Sequence, residues 1–105
     1  MQETTRRLAR VLGANGVEAQ GNGARFEVDS ADGARLKVSV EAGRQRLMAV
    51  LVDGKGVVRA DLDLAPIQKV TEDPGFPGRV TLHVGALRVR LDSRPTLAVE
   101  VLSAV

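Results

Sequence analysis

Few side chains in this sequence could take part in acid, base or metal chemistry. There is one histidine, His83, and there is no cysteine, tyrosine or tryptophan. A metal site built on several imidazoles or thiolates is therefore excluded, as is a cysteine nucleophile. A catalytic triad would have to be built on His83, whose expected neighbours include Thr81 and Arg88. We interpret His83 as a half-exposed strand residue and predict no catalytic residue and no metal site.

Two aspartates, Asp61 and Asp63, are spaced two residues apart and would share one face of a strand. Paired carboxylates serve both acid catalysis and the binding of hard cations. A general acid, however, needs burial to raise its pKa, and both residues fall on the polar face of their strand. We therefore interpret the pair as part of a solvated surface.

Two glycine-rich segments, Gly-Asn-Gly at 21–23 and Gly-Lys-Gly at 54–56, resemble fragments of phosphate-binding loops. Neither segment is followed by a predicted helix, whose amino-terminal amides would be needed to hold an anion. We interpret both as hairpin turns and predict no cofactor.

The composition is that of one small domain. The chain has 105 residues, of which 44% are hydrophobic and 27% charged, with a formal net charge of +2. Residues 1–10 carry charges where a signal peptide would be apolar, and no apolar run approaches the roughly 20 residues of a membrane span. We therefore expect a single domain over residues 1–105, soluble and cytoplasmic, with no membrane partner.

A short helix is predicted at residues 4–12. Thr4 could cap its amino terminus, and Gly13 could occupy the left-handed position after its last turn. An isolated helix of this length is marginal in water, so it should form only by packing on an apolar surface. Its apolar positions are Leu8, Val11 and Leu12.

From residue 17 onward the hydrophobic period changes to two, and turn sequences recur about every ten residues. This pattern predicts an α+β fold that is mainly antiparallel β: a short amino-terminal helix followed by a seven- to eight-stranded meander, as a curved sheet or a partly closed barrel. The predicted strands are about 17–20, 24–30, 34–41, 45–53, 57–64, 79–84, 87–92 and 97–103.

Residues 65–78 interrupt the meander and are predicted to form its one long connection. Pro66 could open a single helical turn that carries Ile67 and Val70 inward. Pro74 and Pro77 forbid a central strand in the remainder.

Cross-strand pairs predict the register of two hairpins, because residues opposite each other should be chemically compatible. A three-residue loop at 31–33 places Phe26 opposite Val38 and Glu27 opposite Lys37. A two-residue loop at 85–86 places Thr81 opposite Arg90, on a turn that Gly85 suits.

Two further registers are predicted. A return at 22–23 would set Glu18 opposite Glu27, which is an unfavourable pair. A five-residue connection before the last strand would pair Arg88 with Glu100, and it would also set Leu91 opposite Leu97 and Val89 opposite Val99.

The strand at 45–53 is apolar on both faces. One face carries Leu47, Ala49 and Leu51, and the other carries Met48, Val50 and Val52. Such a strand should be covered on both sides. The cover could come from the chain itself, through sheet curvature and the 65–78 connection, or from another subunit. Met48, Val50 and Val52 are therefore the candidate protein interface. In the next strand, Val58, Ala60, Leu62 and Leu64 are predicted to point inward.

An arginine-rich hairpin is the candidate anion-binding surface. It carries Arg79, Arg88, Arg90 and Arg94. Several cationic side chains on one face could meet phosphates. No aromatic residue stands beside them, although single-stranded nucleic acid is usually bound by stacking on aromatic rings.

The sequence contains no motif that identifies a family. We predict a small non-enzymatic module for protein–protein interaction or assembly, with a homodimer as one form, acting through an apolar sheet face or an edge strand. One alternative is polyanion or nucleic-acid binding through the 79–94 hairpin. The other is a carrier of a small apolar ligand, which would need a cavity inside the curved sheet.

Overall fold

The computed structural model describes residues 2–103, which form one helix and nine antiparallel strands in two sheets. Met1, Ala104 and Val105, which the sequence assigned to the same domain, lie outside these described residues. The helix α1 spans Gln2–Leu12. The strands are β1 (Glu18–Gln20), β2 (Gly23–Asp29), β3 (Arg35–Glu41), β4 (Arg46–Val52), β5 (Val58–Leu64), β6 (Lys69–Glu72), β7 (Arg79–Val84), β8 (Leu87–Asp92) and β9 (Ala98–Ser103).

The strands follow chain order within each sheet, with β1 to β5 in the first and β6 to β9 in the second. The predicted class, α+β with antiparallel strands, is confirmed. The count of seven or eight strands in one sheet is wrong, because the chain forms nine strands in two sheets, and over residues 2–103 these sheets do not close into a barrel. The described helix has 11 residues and is too short to cross a membrane.

The helix begins two residues before the predicted start, so Thr4 lies inside it and the proposed cap is wrong. Glutamine and glutamate are good helix formers, and an acidic Glu3 in the first turn is favourable to the helix dipole. The predicted end is confirmed. Gly13 has φ +82°, its N–H donates to the Arg10 carbonyl (3.3 Å), and the Ala14 N–H donates to the Ala9 carbonyl (2.8 Å). These two bonds form a Schellman motif.

The helix lies against the inner faces of both sheets, where it contacts β2 and β7. Leu8 and Leu12 are 0% and 2% exposed, so the predicted apolar side of the helix is buried. Outside the core, the Arg7 guanidinium donates to Glu72 (2.8 Å) and to the Val70 carbonyl (3.2 Å) on β6. The helix therefore joins the two sheets. The buried core also includes Phe26, Val28, Leu36, Val38, Val40, Leu47, Ala49, Leu51, Ile67, Val70, Val80, Leu82, Val89, Leu91 and Leu97.

Both hairpin registers that rested on complementary pairs are confirmed. In the β2–β3 hairpin, Phe26 lies opposite Val38 and Glu27 opposite Lys37. In the β7–β8 hairpin, Thr81 lies opposite Arg90, and Gly85 has φ +56°. In each case the hydrophobic period and the turn length select the same pairing.

The register of β1 differs from the prediction. Glu18 lies opposite Arg25 and not opposite Glu27, and it accepts a 2.9 Å hydrogen bond from the Arg25 guanidinium. Gln20 pairs with Gly23, so the turn consists of Gly21 and Asn22. The observed register replaces two facing carboxylates by an ion pair, which is the electrostatic reason for the difference.

The register of β9 is shifted by two residues from the prediction. Arg90, and not Arg88, lies opposite Glu100, while Leu91 lies opposite Val99 and Val89 opposite Val101. The connection still has five residues, but it starts one residue later, at 93–97, because Asp92 and Ala98 form the first pair. A shift of two keeps every side chain on its predicted face and changes only its neighbours.

The 65–78 connection contains a strand where a helical turn was predicted. Ile67 and Val70 are buried as expected, but residues 69–72 form β6, which pairs with β7. The Ile67 N–H donates to the Gln45 carbonyl (2.8 Å) beside β4. The connection therefore crosses from the first sheet to the second, and Pro74 and Pro77 follow its edge strand, where they remove no ladder hydrogen bond.

Gly23 is required where β2 passes close to β3. A Cβ built on Gly23 would lie 2.0 Å from the Val40 carbonyl oxygen. We expect Gly23→Ala to lower the free energy of unfolding by about 1–3 kcal/mol, because the backbone of two paired strands would have to move apart. Urea unfolding measures this change.

Gly16→Ala is the matched control, since nothing lies within 4 Å of a Cβ at that position. We expect this variant to unfold at an unchanged or slightly higher urea concentration. Equal unfolding midpoints for the two variants would contradict the close approach of β2 and β3.

Candidate functional site

The two apolar faces of β4 have different surroundings. Leu47, Ala49 and Leu51 are buried in the core, whereas Met48 is 39% exposed. Val50 and Val52 are half-buried. The 65–78 connection does not act as their cover, because it sends Ile67 and Val70 into the core. The sequence left open whether the chain itself or another subunit covers this strand. The chain itself covers the inner face only.

A β-bulge enlarges the apolar surface beside β4. Leu51 pairs with Ala60, but Val52 pairs with Val58, so the register shifts by one residue between them. The shift turns Val58 to the outer face, where it is 56% exposed, and the prediction that Val58 points inward is wrong. Ala60, Leu62 and Leu64 pack against the core as predicted. We call Met48, Val50, Val52 and Val58 the outer stripe.

Acidic side chains flank the outer stripe on β5. Asp63 lies opposite Met48 and accepts two hydrogen bonds from Arg46, at 2.8 and 2.6 Å. This bidentate contact lowers the pKa of Asp63 below its ordinary value. Asp61 lies opposite Val50, is exposed, and makes no hydrogen bond or ion pair with the residues that the structure describes. Asp63 is therefore held as an anion.

Basic side chains flank the outer stripe on β3. Arg35 lies opposite Val52 and donates to Asp29 (2.6 Å). Lys37 lies opposite Val50 and is exposed. Its cross-strand neighbour Glu27 lies 3.8 Å from Arg35 instead, and Lys37 has no ion pair among residues 2–103. The stripe thus has one unpaired cation on one side and one unpaired anion, Asp61, on the other.

Carboxylates occupy part of the arginine-rich hairpin. Arg79 donates to Asp92 (2.6 Å) and stacks 4.0 Å above the ring of Phe76. Arg90 lies 3.5 Å from Asp92 and donates to Glu100. Much of the local positive charge is therefore balanced within the sheet.

The other two arginines, Arg88 and Arg94, do not take part in these ion pairs. Arg88 donates to the carbonyls of Gly85 (3.0 Å) and Leu87 (2.9 Å). Arg94 is exposed, and its side chain lies beside Gly78. Arg79, Arg88 and Arg90 thus lie on strands of one sheet, whereas Arg94 lies in the connection from β8 to β9.

His83 lies between two cations, with Lys69 opposite it on β6 and Arg88 opposite it on β8. Its Nε2 is 3.1 Å from the Thr71 hydroxyl. Burial, followed by the charges of Arg88 and Lys69, lowers the pKa of His83 below its ordinary value. The imidazole is therefore neutral at pH 7, and its described side-chain hydrogen bond is to a hydroxyl and not to a carboxylate.

The Gly-Lys-Gly segment is a turn whose amides are already bound. The Asp53 carboxylate accepts hydrogen bonds from the N–H groups of Lys55 (2.9 Å) and Val57 (3.0 Å). It also accepts one from Arg59 (2.8 Å). A side chain of the protein thus fills the place that a phosphate would take. Within residues 2–103, no three histidine, aspartate or glutamate side chains come together as a metal site would require.

A depression of about 490 Å³ lies beside the connection from α1 to β1. Its lining is largely charged, which does not suit the apolar ligand of the carrier hypothesis. The inner faces of the sheets, where such a ligand was expected, are filled by core side chains. The lining includes Asn15, Glu18, Arg25, Glu27 and Asp29.

The sequence analysis missed a second exposed apolar patch, formed by Leu87 and Val101. These residues lie on strands β8 and β9, whereas the strands that the helix mainly contacts are β2 and β7. Their alternation with polar neighbours reads as an ordinary buried face. Only the position of the helix shows that this end is left uncovered.

Comparison with known proteins gives a likeness of fold. No protein-family model and no curated protein matches the chain. The structure is similar to a chain of the contact-dependent growth inhibition toxin–immunity protein complex from Klebsiella pneumoniae 342, with a TM-score of 0.69 and 8% sequence identity. The likeness covers 93% of this chain and 91% of that chain. At this identity it shows a shared fold over nearly the whole length of both chains.

The pKa of His83 can be measured directly, because a chain with one histidine has one imidazole signal in an NMR titration. We expect a midpoint below the ordinary value of 6.5. Arg88→Gln should raise the midpoint, because Arg88 is one of the charges that lower it, whereas Arg94→Gln should leave it unchanged. A midpoint at or above 6.5 in the wild-type protein would contradict the described environment.

The same shift makes stability depend on pH. Between the lowered pKa of folded His83 and the unfolded value, the unfolded chain binds more protons, so the free energy of unfolding rises with pH. The rise ends above about pH 6.5. His83→Gln should remove this slope in urea unfolding measured from pH 5 to 7.5.

Proposed function

We propose that this chain is a small non-enzymatic protein–protein interaction module whose contact surface is the outer stripe. The observation that carries the proposal is a contiguous apolar surface on a regular sheet, with Met48 and Val58 its most exposed members. Soluble proteins rarely leave such a surface bare, and patches with polar rims commonly mark protein contacts. The charged flanks on β3 and β5 supply that rim.

Most of the side chains that could do chemistry are occupied by structural contacts, which supports a non-enzymatic role. Asp63 is bound to Arg46, and Asp53 closes its own turn. His83 faces a hydroxyl and two cations, and among residues 2–103 no carboxylate hydrogen-bonds to it and orients it as a general base. A cytoplasmic location stays a prediction.

The likeness of fold supports the same class of function. A chain with this fold occurs in a complex of two proteins, a toxin and its immunity protein. Polyanion binding by the 79–94 hairpin has weaker support, because Asp92 and Glu100 already bind two of its four arginines.

The proposal predicts that a charge on the outer stripe abolishes binding of a partner. Immobilised wild-type protein should retain a partner from an extract of the source organism, and Val50→Asp should lose it, because burying an unpaired carboxylate in an apolar contact is costly. The readout is the set of proteins retained at equal loading, after circular dichroism has shown that each variant is folded.

Leu87→Asp is the matched control, since it places the same charge on the second apolar patch. We expect it to retain the partner. The same proteins on all three surfaces would contradict the proposal, and a loss confined to Leu87→Asp would move the interface to the β8–β9 end.

A toxin is a second candidate for the partner, favoured by the likeness to a chain of the toxin–immunity protein complex. A toxin retained by the chain should arrest growth when expressed alone in a bacterial host, and growth should resume when this chain is expressed with it. A retained protein that is harmless when expressed alone would count against this candidate.

A further inference from the structure

We infer that the partner on the outer stripe is a second copy of this chain, packed sheet against sheet about a two-fold axis that runs along β4. The inference rests on the proposed function, because it uses the same surface, and it names the occupant. It is carried by the charges on either side of the stripe.

Lys37, Val50 and Asp61 form one cross-strand row over β3, β4 and β5. Lys37 and Asp61 are both exposed, and neither has an ion pair among the described residues. The other charged side chains around the stripe are satisfied within the chain: Arg35 by Asp29, and Asp63 by Arg46. One cation and one anion are therefore left over, at equal positions along the strands and on opposite sides of the apolar residue.

A two-fold axis along β4 makes this arrangement self-complementary. Rotation by 180° about that axis sets β3 of one protomer over β5 of its partner and keeps each residue at its position along the strand. Lys37 then lies over the partner's Asp61, and Asp61 lies over the partner's Lys37. The contact is isologous, as two-fold symmetry requires.

The other in-plane axis, across the strands, gives the opposite result. Placed through the Lys37–Val50–Asp61 row, it sets β3 over β3 and β5 over β5, so that Lys37 meets a lysine and Asp61 meets an aspartate. Like charges facing each other in a contact are unfavourable. The charge pattern therefore selects the axis along β4.

The other positions follow from the same axis. The β4 residues of the outer stripe, Met48, Val50 and Val52, meet their own copies in the centre. Arg46, on the same face of β4, also meets its own copy, with its charge already paired to Asp63 of the same protomer. Arg35 faces the partner's Val58, and Ser39 faces the partner's Asp63. No pair of like charges is created between β3 and β5. Sheets that pack face to face lie about 10 Å apart, a gap that a long lysine and a shorter aspartate side chain can bridge together.

The area is that of a weak, transient dimer. About an axis along β4, only β3, β4 and β5 overlap with the partner's strands, because β5 is the edge of the sheet. Three strands of seven residues, rising about 3.3 Å per residue and spaced about 4.8 Å apart, have an outer face of about 330 Å². Two such faces would bury about 660 Å² in total, below the range of stable specific interfaces. We therefore expect a dissociation constant of about 100 μM or weaker.

Sedimentation velocity on charge-swapped variants of the full chain tests the inference. Lys37→Glu and Asp61→Lys should each weaken self-association at least tenfold, because symmetry turns two attractive pairs into two repulsive ones. An equimolar mixture of the two variants should form heterodimers. The double variant K37E/D61K should form a homodimer about as well as the wild-type protein. Lys55→Glu, in the exposed turn after β4, is the control and should dimerise normally.

Three results would overturn the inference: a wild-type protein that is monomeric up to about 1 mM, a dimer that Lys37→Glu does not weaken, or single variants that fail to associate when mixed. The proposed interface is tested separately from the dimer. If the wild-type protein is monomeric but Val50→Asp still loses a partner, the second copy is excluded and the interface stands. If Val50→Asp retains every partner, the interface itself is excluded.

Discussion

The burial of two sheets under one short helix is the constraint on which the rest of this structure depends. Each sheet has an apolar inner face, and Leu8 and Leu12 are among the helical side chains that lie almost fully buried against them. A helix of 11 residues is not stable alone in water, and the sheets would expose their apolar faces without it. Helix and sheets therefore form together, and the Arg7–Glu72 ion pair holds the helix to the second sheet from outside the core.

A single helix covers one side of each sheet and leaves the other to solvent. Most strands are suited to this, because their outward positions are polar. Strand β4 is not, because Met48, Val50 and Val52 face outward from a strand whose other face buries Leu47 and Leu51. The exposure of the outer stripe is thus a direct consequence of this architecture. The ion pairs around the outer stripe show which charged side chains are paired within the described chain and which are left unpaired.

Charge also explains why the arginine content indicates so little about anion binding. Arg79 and Arg90 lie on neighbouring strands and share Asp92, so the sheet neutralises them as it forms. Arg88 and Lys69 lie on either side of His83, where burial and their two charges lower the pKa of the histidine. Ion pairing across strands depends on register, and a two-residue difference in β9 moved Glu100 from Arg88 to Arg90. Counting arginines along the sequence could not show this.

Local rules determined much of this protein from the sequence alone: the antiparallel class, the end of the helix at Gly13, the β2–β3 and β7–β8 registers, and the strand that is apolar on both faces. These features depend on side chains that alternate with period two and on short turns, so neighbouring residues are enough to specify them. Tertiary structure alone decided the division into two sheets, the strand at β6, the bulge that turns Val58 outward, and the partners of each charge. These features depend on where the helix and the distant strands lie, because a residue's exposure and its ion pairs are set by what packs against it and not by its neighbours in sequence.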